Sequence, residues 1–190
     1  MVTKGLDFDN VRVVGVVSAD QLLQFPDFRS AERGFQIITQ VAGRAGRKDK
    51  VGKVIIQAIN TNYAVLRDIV NYDYESFYNR EIMERKSFSY PPFVRLIKIS
   101  IKHKLPDTVN TAAKLYTKNI RQKLGNRVIG PAVPHLSRVR GQYIMNVLIK
   151  LENNGRILKK AKEIILDAAT DLRKEKGLSS VRVIIDVDPL

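Results

Sequence analysis

The sequence predicts a mixed α/β protein in two parts. The first is the closing section of a parallel α/β lobe; the second is an α+β unit with the order β-α-β-β-α-β. Three observations lead there. Short β-branched runs at residues 11–17 and 53–58 bracket an amphipathic helical stretch. After Tyr90-Pro91-Pro92, strict apolar alternation and helical spacing take turns along the chain. The basic surplus also falls almost wholly in the second part.

In the first part, residues 11–17 read as a buried parallel strand, because the run is short and β-branched. Pro26 and Asp27 mark a loop, and Ser30 is suited to cap a helix. Ala31, Phe35, Ile38 and Ala42 recur at spacings of four, three and four, which is one helical face. Residues 53–58 read as a second buried strand. Strand, helix, loop and strand fit the end of an α/β lobe, expected over residues 1–60. Residues 61–90 are expected to form a helical connector. Val65, Ile69 and Tyr72 share a face there, and Phe77, Ile82 and Met83 extend the apolar surface.

In the second part, residues 91–190, Ile97, Ile99 and Ile101 alternate with Lys98, Ser100 and Lys102, giving a strand with one apolar and one basic face. Pro106 and Asp107 open a helix whose face is Val109, Ala112, Ala113, Tyr116, Ile120 and Leu124, and Gly125 closes it. Val128 and Ile129 form a short strand, followed by a Pro/Gly/Arg-rich segment to Gly141. Tyr143, Met145, Val147, Ile149 and Leu151 alternate as a long strand, and Asn153-Asn154-Gly155 turns the chain. Ile157, Leu158, Ala161, Ile164, Ile165, Ala168 and Leu172 line a second helix; Val181, Val183, Ile185 and Val187 form the last strand. This is the split βαβ, ferredoxin-like order, a four-stranded sheet with two helices on one face.

Lys and Arg number 33 against 19 Asp and Glu, a net charge of +14. Residues 1–90 hold 13 basic and 11 acidic side chains, whereas residues 91–190 hold 20 and 8. Such asymmetry points to a polyanion, most simply nucleic acid. The absence of cysteine excludes disulfides and thiolate metal sites within the chain. No apolar run is long enough to span a membrane. His103 and His135 lack nearby Cys or Glu and read as surface residues rather than metal ligands. Asp186 and Asp188 read as hydrogen-bonding or charge-offsetting groups.

The most chemically pointed stretch is Gln40-Val41-Ala42-Gly43-Arg44-Ala45-Gly46-Arg47. Arginine carries a permanent charge and a planar fork that matches phosphate. Glycine beside it clears space for a ligand or another backbone. A helix end with solvated basic residues would contain the same residues. No Gly-x-x-x-x-Gly-Lys-[Ser/Thr] loop and no metal-binding Asp-Glu box accompany the run. The sequence is therefore not expected to hydrolyse ATP alone.

The run, together with Lys4-Gly5-Leu6-Asp7-Phe8, resembles motifs VI and V of superfamily 2 helicases. With Asp27-Phe28-Arg29-Ser30-Ala31-Glu32-Arg33 and the closing Asp186-Val187-Asp188-Pro189, the chain is similar throughout to the primosomal protein N′ (PriA) family of replication-restart DNA helicases. The resemblance implies a partial RecA-like helicase lobe 2 and a C-terminal DNA-binding domain, together a fragment of a longer, ATP-dependent 3′-to-5′ helicase. It implies that Arg47 is the finger on the γ-phosphate, supported by Arg44 and ordered by Gln40. Gly5, Asp7 and Gly43 would lie on the nucleotide side, and Thr3 and Lys4 against the nucleic-acid backbone. ATP and Mg2+ would bind the intact protein and not this piece alone. The family's zinc-binding cysteines are absent here. A cytoplasmic bacterial location and no membrane partner are expected.

For DNA contact the residues themselves offer Lys98, Lys102 and Lys150 on the open sheet face, and Arg138 and Arg140 on a basic hairpin segment. Lysines without exposed aromatics suit backbone contact rather than base reading. A solvated loop would account for the two arginines equally well. The family also binds branched and single-stranded DNA, primosome proteins and the single-stranded-DNA-binding protein SSB. Arg156 and Lys159 are the expected contacts for the acidic tail of SSB, although a charged outer helix face has the same composition. The rival readings are a non-catalytic nucleic-acid-binding module and an SSB or primosome interaction module.

Overall fold

The computed structural model describes residues 11–46 and 52–189. The chain divides into two units, Met1–Glu84 and Arg85–Leu190. In the first, β1 (Val13–Val16) pairs in parallel with β2 (Lys53–Ile56), Val13 opposite Lys53 and Val16 opposite Ile56. Between them run α1 (Ala19–Leu23) and α2 (Ser30–Ala42). The expected face of α2 buries Phe35, Ile38 and Ala42. Phe35 stacks on Phe77 with ring centroids 4.4 Å apart, and Val65, Leu66 and Ile69 complete this small core.

Four features of the first unit differ from the sequence pattern. The two strands read as buried expose alternate residues, with Val13 56% and Ile55 59% exposed. Five-residue α1 is too short to show periodicity; Asp20 secures it, its buried carboxylate accepting the Ile59 N–H at 2.7 Å and the Asn60 N–H at 3.2 Å. These bonds, that from Ile59 first, hold the Asp20 carboxyl below its ordinary range. Ser30 is the first residue of α2 rather than its cap, and its hydroxyl donates back to the carbonyls of Phe25 and Asp27. The connector is two helices, α3 (Ala64–Val70) and α4 (Tyr74–Ser87). Tyr72 takes a left-handed φ of 55°, and the Asp73 side chain accepts the Ser76 N–H at 2.9 Å, starting a new helix. The break turns Tyr72 out to solvent, and Met83 is exposed as well.

In the second unit, β3 (Val94–His103), β4 (Val128–Ala132), β6 (Gln142–Glu152) and β7 (Arg182–Val187) form a sheet in the order β4-β6-β3-β7, with all pairs antiparallel. A two-residue strand, β5 (Arg138–Val139), lies in the basic hairpin segment and pairs with the start of β6. Arg140 (φ 49°) and Gly141 (φ 76°) make the connecting two-residue turn, whose two left-handed positions match hairpin twist. α5 (Pro106–Leu124) and α6 (Gly155–Lys174) cover one face. Gly125, at φ 63°, ends α5. The Asn154 side chain caps α6 by accepting the Arg156 N–H at 2.9 Å.

The pleat sends Ile97, Ile99, Ile101, Val147, Ile149 and Leu151 toward the helices, each 1% exposed or less. Burying each such side chain stabilises the fold by roughly 1.5–3 kcal/mol. Tyr116, fully buried between the helices, donates its hydroxyl to the Ile165 carbonyl at 2.9 Å. Burial pushes its ionisation well above the ordinary phenol value.

Candidate nucleic-acid interface

In the first unit the glycine–arginine run is fixed at the amino ends of two parallel strands. Gln40 is exposed on the last turn of α2. The Gly43 N–H donates to the Thr39 carbonyl at 3.0 Å and the Arg44 N–H to that of Val41 at 3.1 Å. Arg44 is half-buried. Gly46, at φ 71°, donates its N–H to the Val11 carbonyl at 3.1 Å. A Cβ at Gly52 would collide with Ala45 and with the Gly46 backbone, so glycine there lets the chain pass close beside the run. The structure thus brings together Gln40, Gly43 and Arg44. Arg47, Thr3, Lys4, Gly5 and Asp7 lie outside the described residues.

In the second unit the open sheet face changes character along its length. At one end Lys150 lies opposite Leu96. Lys150 donates to the Phe88 carbonyl at 2.6 Å and lies 3.9 Å from the Tyr90 ring centroid, while Leu96 is 2% exposed. Burial lowers the Lys150 pKa. The residues just before β3 therefore occupy this end. In the middle, Lys98 pairs with Asp186 at 3.6 Å, and Ser100 donates to Asn146 at 3.0 Å.

The far end is cationic. Lys102 stands directly opposite Arg182 on β7, with Ile144 on its other side. Like charges in direct cross-strand register repel. Among the described residues, no acid faces this pair in either strand register. Arg182 also lines a pocket of about 440 Å3 with Arg173, Ser179 and Ser180. Cations and hydroxyls converging on one concavity suit an oxyanion.

Arg182 and Arg173 escaped the sequence reading. The alternation of Val181, Val183 and Ile185 puts Arg182 on the open face, but only strand register sets it against Lys102. The remaining candidates are scattered. Arg138 is exposed, its guanidinium 5.0 Å from the Tyr143 ring centroid, and Arg140 is exposed in the hairpin turn. Arg156 and Lys159 are exposed on the first turn of α6, which carries no acid. His103 accepts the Leu105 N–H through Nδ1 at 3.1 Å, so its neutral form carries the proton on Nε2, 3.1 Å from Ser180 Oγ. Among the described residues, no group of three or more His, Cys, Asp or Glu is placed to hold a metal. Asp188 accepts from Arg95 at 2.5 Å, so both terminal acids offset nearby basic charge.

Fold and charge define a basic α/β protein with two sheets, one of which packs its own two helices on one face and ends in cations on the other. A sequence-family model described as "Primosomal protein N C-terminal domain" matches residues 86–190, more than half of the chain. The chain belongs to this family, that of the PriA proteins. It is 35% identical to "Replication restart protein PriA" of Bacillus subtilis, over 100% of this chain and 23% of the relative. It is 35% identical to the Synechocystis protein of the same name, covering 100% of this chain and 22% of the relative. The Treponema pallidum protein is 37% identical, again over 100% of this chain, with 28% of the relative covered. The chain thus spans about a quarter of the length of these relatives.

Proposed function

We propose that this chain serves as the C-terminal portion of an ATP-dependent 3′-to-5′ DNA helicase of the PriA type, which restarts replication at stalled or branched forks. Its first unit is the end of a RecA-like lobe 2. Its second unit is a ferredoxin-like DNA-binding domain, a reading supported by the strand order β4-β6-β3-β7 with both helices on one face.

The observation that carries DNA binding is the Lys102–Arg182 row, two opposed cations with no acid opposite them in strand register among the described residues. A backbone phosphate seated between them would remove their repulsion. Arg173, Ser179 and Ser180 extend the same surface, so the strand has a continuing line of donors. Contact of this kind positions a strand without reading its sequence. Lys98 would join by exchanging Asp186 for phosphate, and Arg138 and Arg140 would extend the contact from the hairpin.

For the motor, the Gly43–Gly46 run lies at the amino ends of β1 and β2. Open parallel sheets hold nucleotides at the opposite, carboxyl ends of their strands. A guanidinium presented from this edge is therefore suited to reach a triphosphate held by another lobe, with ATP and Mg2+ bound there. Arg47 would stabilise the transferring phosphoryl group, and Arg44 and Gln40 would support it. Gly5 and Asp7 would lie on the nucleotide side, and Thr3 and Lys4 against the DNA backbone. Other replication proteins, SSB among them, would dock on the second unit, with Arg156 and Lys159 facing an acidic tail. The reading places the protein in the bacterial cytoplasm; no helix among the described residues is long and apolar enough to cross a membrane.

The test is binding of labelled single-stranded and forked DNA to the chain across a salt series. Phosphate-dominated contact gives a steep, linear fall of log affinity with log salt. Undetectable binding at low salt would refute the DNA-binding assignment.

A further inference from the structure

A second cationic feature lies on the helix side of the second unit. From Thr108 to Leu124, α5 holds four cations, Lys114, Lys118, Arg121 and Lys123, and no acid. Lys114, Thr117, Lys118 and Arg121 follow at spacings of three, one and three, which stacks them on one face of the helix. That face lines a pocket of about 370 Å3 with Gln122 and with Pro131 of β4.

Two details mark this as more than a solvated charged face. Arg121 is anchored: Nη2 donates to the Gly130 carbonyl at 2.5 Å and reaches that of Val128 at 3.4 Å. Both contacts run from one nitrogen of a fork with five N–H donors. Thr117 is 2% exposed, and its hydroxyl has no hydrogen-bond partner among the described residues. Burying a hydroxyl unsatisfied is unfavourable, and turning it toward an acceptor oxygen in the pocket would relieve it. Lys114 and Lys118, four apart, repel each other with no acid on the helix face between them.

We propose that this pocket binds a phosphate group, and that the phosphate belongs to the backbone of single-stranded DNA; this rests on the nucleic-acid reading above. Lysines, a guanidinium and a hydroxyl supply donors from several directions, which fits a tetrahedral oxyanion better than a planar carboxylate. The apolar wall formed by Pro131 and the lysine stems gives the adjoining sugars a surface. The site lies on the helix face of the sheet, so one strand held here and at Lys102–Arg182 would have to pass around the domain.

The experiment compares the full chain with Lys114→Ala/Lys118→Ala and with Thr117→Val, by anisotropy of a labelled oligothymidylate across a salt series. Both lysines are exposed, so the fold should survive their removal. The double variant should lower the slope of log affinity against log salt by about 1.4, or about 0.7 for each lost contact. Thr117→Val should weaken binding roughly fivefold at unchanged slope, the size of one hydrogen bond. Titration with inorganic phosphate, read from backbone amide shifts, forms the second arm. Saturable shifts at residues 114–122 with an unchanged DNA slope would assign the pocket to the free anion and overturn the strand. An unchanged slope without such shifts would overturn the site altogether. Lys102→Ala/Arg182→Ala separates the two readings. A slope lowered by that pair alone sinks the pocket and leaves the sheet reading standing; a slope lowered by the α5 pair alone does the reverse.

Discussion

Removing Arg182 should weaken DNA binding without weakening the fold. Arg182 is exposed on the edge strand β7, directly opposite Lys102. Its side chain fills no core space, and its removal ends a like-charge cross-strand pair. Such pairs shift stability by a few tenths of a kcal/mol at exposed positions, so Arg182→Ala should leave the chain unchanged or about 0.2–0.5 kcal/mol more stable. The same substitution removes one phosphate contact, and adding Lys102→Ala removes a second. For a single strand the salt slope should then fall by about 1.4. Over a fourfold rise in salt, the wild type should lose about seven times more affinity than the double variant. Urea unfolding gives the first quantity and anisotropy of labelled DNA the second. An Arg182→Ala chain that unfolds more easily by 1 kcal/mol or more, or that keeps the wild-type slope when combined with Lys102→Ala, would refute the reasoning.

Other outcomes follow from the same structure. In an intact PriA protein carrying this chain, Arg47→Ala should cut DNA-stimulated ATP turnover by about 10³-fold or more while sparing nucleotide binding; turnover within a few-fold of wild type would remove Arg47 from that role. Tyr116→Phe should cost about 0.5–1.5 kcal/mol at neutral pH through loss of the bond to Ile165. The Tyr116 pKa is raised in the folded state, so its contribution is fully present below pH ~10 and lost as pH rises further. Wild-type stability should therefore decline above that point, and the Phe variant should decline less. Asp20 shows the opposite sign: its pKa is lowered on folding, so its contribution is present above about pH 4 and is lost as pH falls. Asp20→Asn should flatten that acid limb and speed hydrogen exchange at the Ile59 amide; an unchanged exchange rate would show that the carboxylate does not hold the loop.

The second unit was the more legible in sequence, because its elements are long and periodic. Ile97, Ile99 and Ile101, and then Val147, Ile149 and Leu151, alternate without interruption, and their burial follows from the pleat alone. In the first unit, α1 has too few residues to show a period, and the break between α3 and α4 depends on one left-handed residue, Tyr72, that no composition rule singles out. For the site, sequence could place Lys98, Lys102 and Lys150 on one face but could not rank them. Ranking needs neighbours from other strands: Asp186 beside Lys98, Phe88 and Tyr90 over Lys150, and Arg182 across from Lys102. Those partners lie 60 to 88 residues away along the chain, so only tertiary register reveals what faces each lysine. The motif around Gly43 is the reverse case, since its residues are contiguous and its resemblance is carried by local order.

The most direct test maps single-stranded DNA onto the chain by backbone amide shifts at low salt. The account predicts saturable shifts at Lys102, Ile144 and Arg182, with the Ser179–Ser180 amides following and all of them fading as salt rises. Saturable binding that leaves the β3, β6 and β7 amides at this end of the sheet unmoved would contradict it.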